Sequence, residues 1–152
     1  MERVASDFFA TYRLAMEAGD LDTLVASYRL PLPVVRPDRT RVVEDPATLR
    51  TEIGRILDFY RWAGMRRIDM ENLRADGVRD GLVIASLTWV PRGATGEQIA
   101  RIDVSFTLRT VRNGARIAAV IAHNEESHRV PLLRSAASHM ESGDETFLRL
   151  IQ

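Results

Sequence analysis

The run Ile99-Ala-Arg-Ile-Asp-Val-Ser-Phe-Thr-Leu-Arg-Thr-Val-Arg-Asn-Gly-Ala-Arg-Ile-Ala-Ala-Val-Ile-Ala-His-Asn124 holds two extended segments joined at Asn113-Gly114. Side chains along a strand point alternately to opposite faces. Ile102, Val104, Phe106 and Leu108 therefore share one face, and Arg101, Asp103, Ser105, Thr107 and Arg109 share the other. Asn-Gly is a strong signal for a tight hairpin, because these residues tolerate the positive φ such turns need. The pattern predicts one long strand over 99–111 and another over 116–124.

Working outward, Leu82 to Val90 alternates as a third long strand, and Ile68, Met70 and Leu73 open a fourth from Arg66 onward. Asp76-Gly77 and Asp80-Gly81 both suit the hairpin between these two. Pro91 to Glu97, with Gly93 and Gly96, reads as a loop. Before Arg66 the period is helical. Phe8, Phe9, Tyr12, Ala15 and Met16 share one face of a helix over 4–18, which Gly19 ends. Asp20 caps a short second helix bearing Leu21, Leu24, Val25 and Tyr28. Pro31 and Pro33 stop it and enforce extended backbone. Val34-Val35 and Arg41-Val42-Val43 read as short strands around a Pro37-Asp38 turn. Asp45-Pro46 combines a capping carboxylate with proline at the first helical position. The third helix buries Leu49, Ile53, Ile56, Leu57 and Tyr60, and Gly64 closes it. Three helices followed by four long antiparallel strands is an α+β layout, with the helices packed on one sheet face.

The composition narrows the chemistry. A chain of 152 residues, 45% hydrophobic and 28% charged, is the size and make-up of one soluble globular domain. There is no cysteine, which excludes disulfides and thiolate nucleophiles. The 21 basic residues balance 21 acidic ones, so the basic excess of a nucleic-acid binder is missing. All the basic residues are Arg, and without Lys no Schiff base forms on the protein. Met1-Glu2-Arg3-Val4 begins no signal-peptide pattern, and the apolar stretch near Ile117–Ala122 is far too short to span a bilayer. The reading is a bacterial, cytoplasmic protein with no nucleic-acid and no membrane partner. No phosphate loop, dinucleotide fingerprint or serine elbow is present, and no cofactor is expected.

The segment Tyr12-Arg-Leu-Ala-Met-Glu-Ala-Gly-Asp-Leu-Asp22, followed by Leu24-Val25 and Tyr28, resembles the opening of nuclear transport factor 2-like proteins. That superfamily has a cystatin-like cone fold and includes ketosteroid isomerases and SnoaL-like polyketide cyclases. The resemblance implies three N-terminal helices on a strongly curved antiparallel sheet over residues 1–130, with a pocket between the layers. It also implies a homodimer through the outer sheet face. There Arg101, Asp103, Ser105, Thr107 and Arg109 would lie beside Arg116, Ala118, Val120 and Ala122 of the last strand. Residues 131–152 continue past this domain. Leu132, Leu133, Ala136, Ala137 and Met140 have helical spacing, which predicts a C-terminal helical extension docked on its own domain or on a partner subunit.

Ketosteroid isomerase uses an Asp base, with a Tyr and a protonated Asp stabilising the oxyanion. The resemblance places Tyr12 at the catalytic tyrosine and Ile102-Asp103 at the oxyanion-hole acid. It places Arg36 where the base should be, and a permanently charged guanidinium does not abstract a proton. Alternation itself sets Asp103 opposite Ile102 and Val104, on the outer face if those two pack under the helices. His123 alternates in phase with Ile117, Ala119 and Ile121, so it is expected to face inward, as a general base or a hydrogen-bonded rim histidine. Arg36 is either an ion-pair partner or an anion clamp. Tyr12, Tyr60 and Trp89 are pocket walls or core aromatics. The spacing of His123 and His128 fits no zinc motif, and no metal is expected. Two functions follow. One is binding of a small carbonyl compound, with isomerase, cyclase or hydratase chemistry. The other is a non-catalytic binding or assembly module.

Overall fold

The computed structural model describes residues 2–123. The expected extension over 131–152 lies outside the described residues. Nine elements follow in chain order. Helices α1 (Glu2–Ala18) and α2 (Leu21–Ala26) come first, then strands β1 (Leu32–Val35) and β2 (Thr40–Val43). Helix α3 (Pro46–Trp62) precedes the long strands β3 (Arg67–Gly77), β4 (Leu82–Arg92), β5 (Ile102–Val111) and β6 (Gly114–Ala122). The strands form one sheet in the order β2-β1-β6-β5-β4-β3. Every neighbouring pair is antiparallel except β1–β6, where Val34 and Val35 run parallel to Val120 and Ile121.

The helices form where the sequence supplies stripes and caps. In α1, Ala5, Phe9, Tyr12 and Met16 recur at helical spacing and are all buried. Asp20 accepts from the Thr23 amide at 3.2 Å and starts α2. Asp45 accepts from the Thr48 amide at 2.8 Å and starts α3, with Pro46 following. Against these stripes the sheet presents Val83, Ala85, Leu87, Ile102, Val104, Phe106 and Leu108. Phe9, Phe59, Leu24, Leu108 and Ile117 are among the largest wholly buried side chains. Each such burial is worth about 1.5–3 kcal/mol before entropy is counted.

Three sheet details differ from, or resolve, the sequence reading. The β3–β4 hairpin turns at Asp80-Gly81, whose φ values are 51° and 80°, while Gly77 stays in the ladder opposite Val83. Strand β5 begins at Ile102 rather than Ile99. Ile99 instead closes the preceding loop, its amide donating to the Pro91 carbonyl at 2.8 Å. The third detail moves a candidate residue. Leu108 pairs with Ile117, but Thr107 pairs with Ala119, so Ala118 is an extra residue in β6. Such a bulge reverses the facing of everything beyond it. Ile117 points into the core, yet beyond the bulge it is Val120 and Ala122, opposite Phe106 and Val104, that point inward. The expected outer placement of Val120 and Ala122 is corrected accordingly.

Candidate functional site

A cavity of about 100 Å³ lies between the helices and the concave sheet face. Tyr12 and Met16 of α1, Leu49, Glu52, Ile53, Ile56 and Tyr60 of α3, and Tyr28 after α2 close one side. Leu32 and Val34 of β1, Ile68 of β3, Trp89 of β4, Ile102, Val104 and Phe106 of β5, and Val120 of β6 close the other. The walls are therefore almost wholly apolar, with aromatic rings concentrated at one end. Tyr12 stacks on Trp89 with ring centroids 5.9 Å apart and planes 23° from parallel.

Besides the Tyr60 phenol and the Trp89 indole, two polar features interrupt this lining among the described residues. The first is a pair of phenols: the Tyr12 and Tyr28 hydroxyls lie 2.5 Å apart. One donates to the other, and the acceptor of the pair keeps its own O–H proton for a third partner. Burial pushes the Tyr12 phenol up to about 12, a rise only partly offset by its bond to Tyr28. Burial likewise raises Tyr28 well above the ordinary tyrosine value, and the neighbouring Tyr12 adds to the rise. Both stay protonated near neutral pH and act as donors. The second feature is Glu52, which is 5% exposed and accepts a hydrogen bond from Arg41 of β2. A buried carboxylate without such a partner would be costly, so Arg41 holds it in place.

The structure gathers only part of the expected constellation. Tyr12, Tyr60 and Trp89 line the cavity together. His123 does not: contrary to the inward expectation, it lies on the outer sheet face. The Ala118 bulge shifts its phase, and its Nε2 meets Ser105 Oγ at 2.7 Å. Asp103 also faces outward, as strand alternation sets it, and accepts from Thr88 Oγ1 at 2.6 Å. It is therefore not beside Tyr12, contrary to the site that the resemblance implies. Arg36 is absent from the cavity lining, and its Nε stands 3.8 Å from Asp38. The outer face carries its own polar lattice. Ser86 meets Ser105 at 2.7 Å, Arg92 bonds Asp69 at 2.6 Å, and Arg101 bonds Glu71 at 3.1 Å. The bond from Arg92, more than any other contact, holds the Asp69 carboxyl below its usual range.

Two polar residues of the described cavity lining were not singled out from sequence. Tyr28 was read only as a helix-face aromatic. Glu52 was overlooked although it falls three residues after Leu49 and four before Ile56, inside the buried stripe of α3. An acidic residue within an apolar helical stripe was the available signal. Among the described residues, no group of three or more His, Asp or Glu side chains is placed to hold a metal ion. Nor is any helix among them long and apolar enough to cross a membrane.

Comparison with known proteins agrees with this architecture. A family model described as NTF2-like protein (DUF6841) matches residues 2–125. No curated protein matches the chain. A Nostoc punctiforme protein of unknown function with a cystatin-like fold superposes with a TM-score of 0.63 at 12% identity, covering 84% of this chain and 92% of that one. An NTF2-like protein with a cystatin-like fold from Novosphingobium aromaticivorans gives a TM-score of 0.61 at 15% identity, covering 86% and 84%. A Streptomyces avermitilis protein of the NTF2-like family, provisionally assigned as a dehydratase, gives 0.60 at 14% identity, covering 81% and 94%. At these identities the likeness is one of fold.

Proposed function

From the premise that this chain belongs to the NTF2-like family DUF6841, we propose that it binds a compact small molecule in the cavity between helices and sheet. The observation that carries this reading is the cavity's make-up: apolar walls around a phenol pair with one O–H proton to spare. A ligand with an apolar body and a carbonyl or hydroxyl oxygen matches it. The body displaces poorly held water from apolar surface, and the oxygen accepts from the tyrosine pair. Size restricts the ligand further. A cavity near 150 Å³ holds about one benzene ring, so about 100 Å³ suits a branched chain or part of one ring. A four-ring steroid does not fit within it.

The test is ligand-induced thermal stabilisation across small ketones, phenols and branched alcohols. Hits are expected among compounds of one ring or less, and Tyr12→Phe should weaken those carrying a carbonyl. If no compound of this size raises the melting temperature, or if Tyr12→Phe leaves every hit unchanged, the reading is wrong.

Glu52 supports a second, catalytic reading. It is the one carboxylate among the described residues of the cavity lining. Set in the same chamber as protonated phenols, it supplies the basic half of an acid–base pair acting on a carbonyl compound. Isomerisation or hydration of the SnoaL-like kind is the reaction class this suits. Solvent deuterium exchange into the position next to a bound ketone's carbonyl, lost in Glu52→Gln, is the expected signature. The outer sheet face suits a self-complementary homodimer, because it mixes Asp69, Glu71, Arg92 and Arg101 with the exposed Ile84. Sedimentation equilibrium with Ile84→Arg tests this, the variant being expected as monomer.

A further inference from the structure

The β1–β2 hairpin carries three arginines on one side. Arg36 and Arg39 exchange backbone hydrogen bonds across the Pro37-Asp38 turn, at 2.8 and 3.3 Å, and Arg41 pairs with Val34. Directly opposed residues of an antiparallel pair point the same way, as do residues two apart on one strand. Arg36, Arg39 and Arg41 therefore share the side of Val34, and Val34 lines the cavity. Glu52, which Arg41 holds, lines it too. The cluster thus sits at the cavity's rim, joined to its wall through two residues.

Two of these arginines have carboxylate partners among the described residues. Arg41 bonds Glu52, and Arg36 stands 3.8 Å from Asp38, whose side chain is 65% exposed. Arg39 has no carboxylate within 4.0 Å among the described residues. The donors are also under-used: Arg39 Nε and Arg41 Nη1 are buried and meet no acceptor. A charged donor withdrawn from water without a partner bears its whole desolvation penalty, and an arriving anion removes it. A carboxylate fits best. Its two oxygens in one plane match the guanidinium fork, and its single charge matches that of Arg39.

We propose that Arg39 and Arg41, with Arg36 beside them, form an anion site at the cavity rim. It takes the carboxylate of a ligand whose apolar part enters the cavity. This rests on the small-molecule reading above and makes the ligand class specific: short branched or single-ring carboxylic acids. The Nη2 edge of Arg41 remains with Glu52, and the Nη1 edge turns to the ligand.

Calorimetric titration of the full chain separates the parts. The probes are isovalerate and benzoate, against their neutral amides isovaleramide and benzamide. The acids should bind about ten-fold tighter than the amides at low salt, with the ratio shrinking as salt screens the charges. Arg39→Gln should bring acid and amide to nearly equal affinity, chiefly by weakening the acid. Arg39→Lys, which keeps the charge without the fork, should fall between. Circular dichroism confirms that each variant is folded. Acids binding no tighter than amides would overturn the anion site and leave the cavity reading standing. A preference for acids that survives both substitutions would also overturn it. Binding of neither acids nor amides would remove the cavity reading, and the anion site with it.

Discussion

Tyr12 and Tyr28 show how a single pair sets both chemistry and stability. Their phenols are raised by burial, Tyr12 to about 12 and Tyr28 well above the ordinary value, and burial raises Tyr60 as well. A group whose folded value exceeds its unfolded one stabilises fully below the unfolded value and loses that contribution as pH climbs toward the folded one. The unfolded tyrosine value is near 10. Urea midpoints should therefore be insensitive to tyrosine titration from neutrality to about pH 9.5 and fall steeply above about pH 10. Tyr12→Phe/Tyr28→Phe should flatten that fall. Glu52 makes a different residue-scale case. Breaking a buried ion pair from one side leaves the other charge stranded, which costs about 3–5 kcal/mol when burial is complete. Arg41 is 25% exposed, so water recovers part of this. Glu52→Leu should lower the unfolding free energy by about 2 kcal/mol, and adding Arg41→Met should recover much of the loss. Chemical denaturation of the two variants measures it. Tyr12 was legible as a cavity residue because it carries a helical stripe. Glu52 was equally placed on one, but its pairing with Arg41 spans two elements and follows from no local pattern.

At the scale of elements, turns and bulges decide more than propensities do. Gly81 has a φ of 80°, and a Cβ there would stand 2.6 Å from Thr110 Oγ1. Both the backbone and the neighbouring strand therefore ask for glycine. Gly81→Ala should cost about 1–2 kcal/mol in urea unfolding. Gly77, the other glycine of the segment, lies within the ladder opposite Val83 and should tolerate alanine better. The β6 bulge carries larger consequences. Deleting Ala118 restores even pairing, and plain alternation from Ile117 then keeps Val120 opposite Phe106 and Ala122 opposite Val104, both facing the core. The expected outcome is a cooperative thermal transition as sharp as the parent's, because the core-facing residues are unchanged. Loss of that transition, with binding of a hydrophobic dye, would mean that the extra residue of β6 is not Ala118.

For the whole molecule, the relevant quantity is the space left when the helices close on the sheet. The cavity exists because medium-sized residues such as Val34, Val104 and Val120 meet Ile53 and Ile56 across it, where larger side chains would fill the gap. Val104→Phe places a ring into that space. It should abolish ligand-induced stabilisation while changing the protein's own unfolding free energy by less than about 1.5 kcal/mol. A thermal shift that survives the substitution would place the ligand elsewhere. The element order, the caps at Asp20 and Asp45, and the helical stripes were determined by the sequence alone, because they rest on contacts within a few residues of each other. Which candidate side chains meet was decided only in the folded chain. Asp103 was set outward by plain alternation. His123 required the bulge, which arises from pairing with a strand whose register no property of β6 alone specifies. The rim arginines and Glu52 converge because β2 and α3 are brought together across the closed cone, and that closure follows from burying the apolar core as a whole.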